Sequence, residues 1–203
     1  YKKRIITINT GLTVLVGCNG MGKTTLLQQL KRQLEKENIP VISFNNLKDG
    51  GSNARDKAVF YGDFKFLAAS IQSSEGEDIV LNMIRFSNRI GNFLKQNKDK
   101  SEIWILLDAI DSGLSVDSVV DLKKGLFKTI FGNNPNTDVY IVVSANEYEL
   151  ARNEQCFDVY DGKYIKFKDY EDYRNFILKT REEKDKRVYK DCDEEDEEES
   201  EDE

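Results

Sequence analysis

Apolar residues along this chain fall into two kinds of segment: short continuous runs, and stripes that recur every three or four positions. The runs at residues 12–16, 41–44, 103–107 and 139–143 are rich in Val, Ile and Leu, as buried strands require. Between them, Leu26, Leu27, Leu30 and Leu34 mark a helix that ends near Asn38, ahead of Pro40. Ile79, Val80, Met83, Ile84, Phe86 and Ile90 mark another, opened by a capping sequence at residues 73–77. A further helix spans about residues 116–131, and a polar one about residues 169–186. Residues 58–71, with Phe60, Tyr61, Phe64 and Phe66, read as helix with the aromatics in the core, after a polar, glycine-containing loop at residues 46–56. Residues 4–9 and 12–16, joined by Thr10-Gly11, predict an opening hairpin. Residues 156–160 and 163–167, around Asp161-Gly162, predict a closing one. Alternating strands and helices make this an α/β domain: a mostly parallel sheet with helices on both faces and antiparallel hairpins at the ends. We divide it into a domain at 1–167, a C-terminal helix at 168–190 and an acidic, disordered tail at 191–203. No internal repeat is present.

The junction between the first central strand and the first helix carries the most specific chemistry. Residues 17–25 read Gly-Cys-Asn-Gly-Met-Gly-Lys-Thr-Thr, and Gly17, Gly22, Lys23 and Thr24 fit the phosphate-binding pattern G-x-x-x-x-G-K-[ST]. Glycines let backbone N–H groups turn inward on phosphates, and the helix N-terminus adds its positive dipole end. The expected cradle is Gly17, Asn19, Gly20, Met21, Gly22, Lys23, Thr24 and Thr25. Lys23 is expected to face solvent and reach the β- and γ-phosphates, with the Thr24 hydroxyl on Mg²⁺. A buried strand ending in an aspartate is the companion such a loop needs, so Asp108 is expected beside Thr24 as the second metal-site residue.

Composition narrows the setting. The 203 residues suit a single domain, and no apolar stretch reaches 18 residues, so no membrane partner is expected. With no visible cleavable signal at the N-terminus, a cytoplasmic location is expected. Cys18, Cys156 and Cys192 are odd in number and irregularly spaced, which reads as free thiols in a reducing compartment. Histidine is absent, removing the usual general base. The formal charge of −7 is unevenly spread, because residues 191–203 hold eleven acids and no base. Without them, 26 acidic residues stand against 30 basic ones, about +4. That mildly basic body admits a nucleic-acid partner, with which the tail could compete; simple solubilisation is the plainer role for the tail.

A resemblance adds to this. Residues 106–115, Leu-Leu-Asp-Ala-Ile-Asp-Ser-Gly-Leu-Ser, resemble the strand, catalytic segment and D-loop of ABC-type ATPases. These include the heads of chromosome-maintenance (SMC-class) and DNA-break-repair ATPases and related small AAA-family proteins of phage and bacterial genomes. Residues 74–77, Ser-Glu-Gly-Glu at the start of a helix, are similar to the ABC signature, and residues 158–163 to the closing strands of those heads. The resemblance covers most of residues 4–167. It implies ATP with Mg²⁺ and an ATP-dependent head-to-tail homodimer. Ser74 and Gly76 of one copy would then meet the γ-phosphate held by Gly22, Lys23 and Thr24 of the other. It also implies action on DNA or on a protein partner. The long heptad coiled coil of SMC-class heads is missing, so the chain resembles a head without arms.

Two departures from the family bear on hydrolysis. Where it has a glutamate after the metal-site aspartate, this chain has Ala109; where it has a histidine after the next strand, residues 144–147 read Ser-Ala-Asn-Glu. A methyl group accepts no proton, so turnover is expected to be slow or to use another group. Asp111 and Glu147 are the candidate bases, with Ser144 or Asn146 as a neutral replacement for the histidine. Asn45 and Asn46 are candidates for the glutamine that links nucleotide to the signature region. Three functions follow: a slow ATPase driven through dimerisation, an ATP-gated binding switch with little turnover, and a P-loop kinase. The kinase lacks an arginine-bearing lid in sequence.

Overall fold

The computed structural model describes residues 5–45, 49, 75–112, 114–144 and 146–201, with side chains described outside 75–84 and 187–201. Its elements run β1 Gly11–Val16, α1 Lys23–Lys36, β2 Val41–Asn45, α2 Glu75–Gln96, β3 Glu102–Asp108 and α3 Val116–Asp121. They continue through a π-helical turn, Leu122–Phe127, into α4 Lys128–Asn133, then β4 Asp138–Ser144, α5 Tyr148–Ala151, β5 Gln155–Asp158, β6 Lys163–Ile165 and α6 Tyr170–Glu201. One six-stranded sheet has the order β2-β3-β4-β1-β5-β6. All neighbours are parallel except β5 and β6, an antiparallel hairpin.

The continuous apolar runs become the interior strands because both faces of the sheet are covered. Val14, Val16, Ile105, Leu107, Ile141 and Val143 face one core, with Phe86 and Ile90 of α2, Val119 of α3 and Tyr173 of α6. Leu15, Trp104, Leu106, Val142 and Phe157 alternate onto the other face, under Leu26, Leu27 and Leu34 of α1. Phe44 and Phe86 pack with ring centroids 4.5 Å apart, tying β2 to α2. Because β1 is central, its C-terminal end opens between β4 and β5, where the chain turns into α1.

The α/β class, the parallel sheet and the closing hairpin agree with the expectation. The opening hairpin does not: residues 5–9 carry no strand. β1 already has parallel partners on both sides, β4 and β5, so no edge is left for an antiparallel neighbour. The segment instead lies on the closing hairpin, where the Asn9 N–H donates to the Tyr164 hydroxyl (2.8 Å) and Asn9 Nδ2 to Gln155 Oε1 (2.9 Å). The C-terminal helix runs on from the polar stretch into the acidic residues as far as Glu201. The aromatic-rich segment 58–71 and Asn46 lie outside the described residues.

Candidate functional site

The site is built at the mouth of the sheet, where β1 gives way to α1. Gly22 caps α1 at φ 93°, a left-handed conformation that suits a residue without Cβ. The Leu26 N–H returns to the Gly22 carbonyl (2.9 Å), so the first turn of α1 leaves its leading N–H groups directed at the mouth. Gly17, at φ 142°, is needed for space as well: a Cβ there would lie 3.2 Å from Val159 Cγ2. Gly20 also has positive φ, and the Met21 N–H closes a turn on the Cys18 carbonyl (3.2 Å). Asn19, Gly20, Thr24 and Thr25 are exposed at the mouth, whereas Met21 packs into the α1 core.

Lys23 departs from expectation. It is buried, 8% exposed, and its Nζ donates to the loop's own carbonyls, Gly17 O at 2.6 Å and Cys18 O at 3.4 Å. Burial pushes its ammonium down from the ordinary lysine value, and the nearby Cys18, Asp111 and Asp108 pull the other way. A long side chain beside the loop's own carbonyls, of which Cys18 O already accepts the Met21 N–H, bonds to them rather than extending into water. Lys23→Ala therefore removes a buried hydrogen-bonding group as well as a ligand cation.

Across the mouth, Asp108 at the end of β3 is the hub of a side-chain network. Its Oδ1 accepts from the Thr24 hydroxyl (3.2 Å) and the Ser144 hydroxyl (2.7 Å), and its Oδ2 from Asn45 Nδ2 (2.7 Å). Ser144 in turn accepts the Ala109 N–H (2.8 Å). Strand order explains the convergence: Asn45, Asp108 and Ser144 end the adjacent strands β2, β3 and β4, and β4 adjoins β1. The sequence suggests Asn45 for the glutamine that links nucleotide to the signature region and Ser144 for the missing histidine; in the structure both bind Asp108. A hydroxyl and a carboxylate held together at a helix N-terminus are the donor set a magnesium ion takes alongside phosphate oxygens and water. Thr24 and Asp108 fit that ion.

Of the candidate bases, Asp111 is 3% exposed, and its Oδ2 accepts the Asn146 N–H (2.5 Å) and the Glu147 N–H (2.7 Å). Its Oδ1 is buried with no hydrogen-bond partner among the described residues. Asp111 thus clasps the segment that follows β4. The Asn146 and Glu147 side chains are exposed, and the Asn146 carbonyl accepts the Tyr173 hydroxyl (2.9 Å). Burial, with Asp111 next in weight, pushes the Tyr173 phenol up. Ala109 sits at φ 52° between Asp108 and Asp111, and its side chain offers no acceptor. Gly76 lies in the first turn of α2; Ser74 lies outside the described residues. Cys18 and Cys156 are free and buried, and burial pushes the Cys156 thiol up to about 12, an inert thiol.

α6, which no motif flagged, also reaches the loop. The Cys18 N–H donates to the Thr180 hydroxyl (3.1 Å), and Lys184 Nζ to the Asn19 carbonyl (3.3 Å). Among the described residues, cavities open on both sides of the loop. One of about 300 Å³ is bounded by Thr24, Gln28, Lys31, Asn45, Asp49 and Asp108. The other, about 310 Å³, lies between the β5–β6 hairpin and α6.

A glycine loop opening a helix, at the mouth of a mostly parallel sheet with a hydroxyl–carboxylate pair beside it, defines a P-loop nucleotide-binding protein. The AAA domain family model matches residues 7–125, more than half of the chain, from before β1 to the end of the Asp108–Ser115 segment and beyond. The chain belongs to that family, and its domain is a nucleotide-binding ATPase domain. Comparisons with curated proteins and with solved structures returned no match. No described helix is long and apolar enough to cross a membrane.

Proposed function

We propose that the chain is a slow ATPase of the ABC-type head class, in which the ATP-bound state, by joining two copies head to tail, acts on a nucleic-acid or protein partner. The observation that carries the nucleotide chemistry is the meeting of Thr24, Asp108, Ser144 and Asn45 at the loop mouth. Thr24 and Asp108 would hold Mg²⁺, which supplies charge neutralisation to the β- and γ-phosphate oxygens. Loop N–H groups bind the phosphates, and the Lys23 ammonium exchanges its carbonyl partners Gly17 and Cys18 for phosphate oxygen. Ser144 and Asn45 fix the carboxylate orientation of Asp108, as outer partners of a metal site do.

Slow turnover rests on what stands near the metal carboxylate. Ala109 offers only a methyl, and Asp111 is committed through Oδ2 to two backbone amides. Glu147 is exposed and is the remaining candidate to orient water. Those same observations favour a second reading, an ATP-gated switch that closes without appreciable hydrolysis. Dimerisation is supported by the sequence resemblance at Ser74–Gly76 and by the 58% exposure of Val116, directly after Ser115. Cytoplasmic location and a DNA partner are parts of the same proposal, resting on the resemblance and the basic body.

Sizing the protein with and without ATP and Mg²⁺, while following phosphate release, separates the readings. ATP-dependent dimers with slow release support the ATPase. Lasting dimers with no release select the switch, and monomers throughout contradict both.

A further inference from the structure

The phosphate loop divides the mouth of the sheet into two sides, and only one carries the metal residues. Thr24, Asp108, Ser144 and Asn45 all lie on the side of β4, β3 and β2. A nucleoside triphosphate keeps its metal at the β- and γ-phosphates and its nucleoside at the opposite end. The nucleoside therefore belongs on the other side of β1, toward β5.

That side holds the cavity of about 310 Å³ between the hairpin and α6, at the lower end of small-molecule pocket sizes. It is linked to the loop through Thr180. Thr180 lines it and accepts the Cys18 N–H, while Asp158 stands level with Val16 in the β1–β5 register, one residue before Gly17. Ile165, Phe176 and the half-buried Tyr160 give it apolar and aromatic wall. Asp158 supplies the polar specificity. It is 3% exposed, and its Oδ1 accepts the Tyr160 N–H (2.9 Å) and the Asp161 N–H (3.3 Å). Both backbone amide bonds fall on Oδ1, and Asp158 lines the cavity. A ligand donor that reached Oδ2 would make a charge-assisted hydrogen bond to this carboxylate. Burial also pushes the Asp158 carboxyl up, while the Tyr160 and Asp161 N–H groups pull the other way.

We infer that this cavity is the nucleoside subsite, with Asp158 Oδ2 accepting a hydrogen bond from the base amino group or the ribose, and Tyr160 and Phe176 as apolar wall. The inference rests on the proposal that the loop binds a nucleotide. It makes α6, through Thr180 and Phe176, part of the nucleotide site. It also assigns nucleoside recognition to residues beyond the stretch that matches the family.

The test is calorimetric titration of the full chain, in Mg²⁺, with ATP, inorganic triphosphate, inosine triphosphate and 2′-deoxy-ATP. ATP should bind at least tenfold tighter than inorganic triphosphate. Asp158→Asn, which keeps an oxygen for the two amides but turns a donor toward the ligand, should weaken ATP about tenfold and leave triphosphate unchanged. Lys179→Trp, at an exposed residue lining the cavity, should do the same by filling it. Thermal unfolding of Asp158→Asn at or above the parent temperature shows that the loss is not misfolding. Weakened inosine triphosphate alone assigns the contact to the base amino group, and weakened 2′-deoxy-ATP alone to the ribose. Equal binding of ATP and triphosphate, or variants that leave ATP untouched, overturns the subsite while the phosphate loop stands. Binding of neither ligand removes the phosphate-loop proposal, and the subsite with it.

Discussion

Two buried carboxylates three residues apart, Asp108 and Asp111, are held in opposite ways. Asp108 is surrounded by side-chain donors, Thr24, Ser144 and Asn45, each of which can turn away when a cation or its water arrives. Asp111 is gripped by the backbone amides of Asn146 and Glu147, which cannot leave without moving the chain, and its second oxygen has no partner among the described residues. The first arrangement suits an exchangeable metal ligand. The second suits a clasp that sets the position of the segment after β4 relative to the turn after β3. Ala109 lies between them in a left-handed conformation, its N–H on Ser144.

The comparison breaks first at Asp108. Asp108→Ala should reduce Mg²⁺-dependent phosphate release by about 100-fold or more, beyond the loss typical of an outer-shell partner, with little change in thermal unfolding. A large loss of stability with unchanged Mg²⁺ response would reverse the assigned roles. Ala109→Glu comes next: steady-state phosphate release should rise by roughly 100-fold if a water-orienting base is all that is missing. No gain would mean that another group, Glu147 foremost, already serves. Asp111→Ala should instead act on stability, leaving two amides unpaired at about 1–3 kcal/mol each. In a chain of this size, at about 2–4 °C per kcal/mol, that lowers the unfolding midpoint by roughly 4–24 °C by calorimetry. An unchanged midpoint would remove the clasp. The smallest effect belongs to Tyr173→Phe, which deletes the hydroxyl donated to Asn146 O and should cost about 1 kcal/mol in denaturant titration.

What could be read from the chain follows the range of the interactions. Gly17–Thr25 and Asp108 were legible because a glycine loop and a strand-ending aspartate are local patterns with fixed spacing. The closing hairpin was legible from Asp161-Gly162 for the same reason. The partners of Asp108 were not, since Asn45 and Ser144 meet it only through the strand order β2-β3-β4. Nor was α6, whose Thr180 lies 162 positions from Cys18 on a helix that reads as polar surface. The opening hairpin failed because residues 12–16 fit a strand covered on both faces as well as one half of a hairpin, and burial decided. Lys23 failed because a solvent-facing cation is a habit of the motif, whereas two carbonyls within reach are a property of this loop.

The central claim is that the loop and Asp108 together hold a magnesium-bound triphosphate. It is tested most directly by measuring ATP affinity with and without Mg²⁺ in the parent chain and in Asp108→Ala. The account predicts that Mg²⁺ tightens ATP binding in the parent and that this gain vanishes in the variant, while Mg²⁺-free binding persists. An equal Mg²⁺ gain in both proteins, or no ATP binding by the parent, would contradict it.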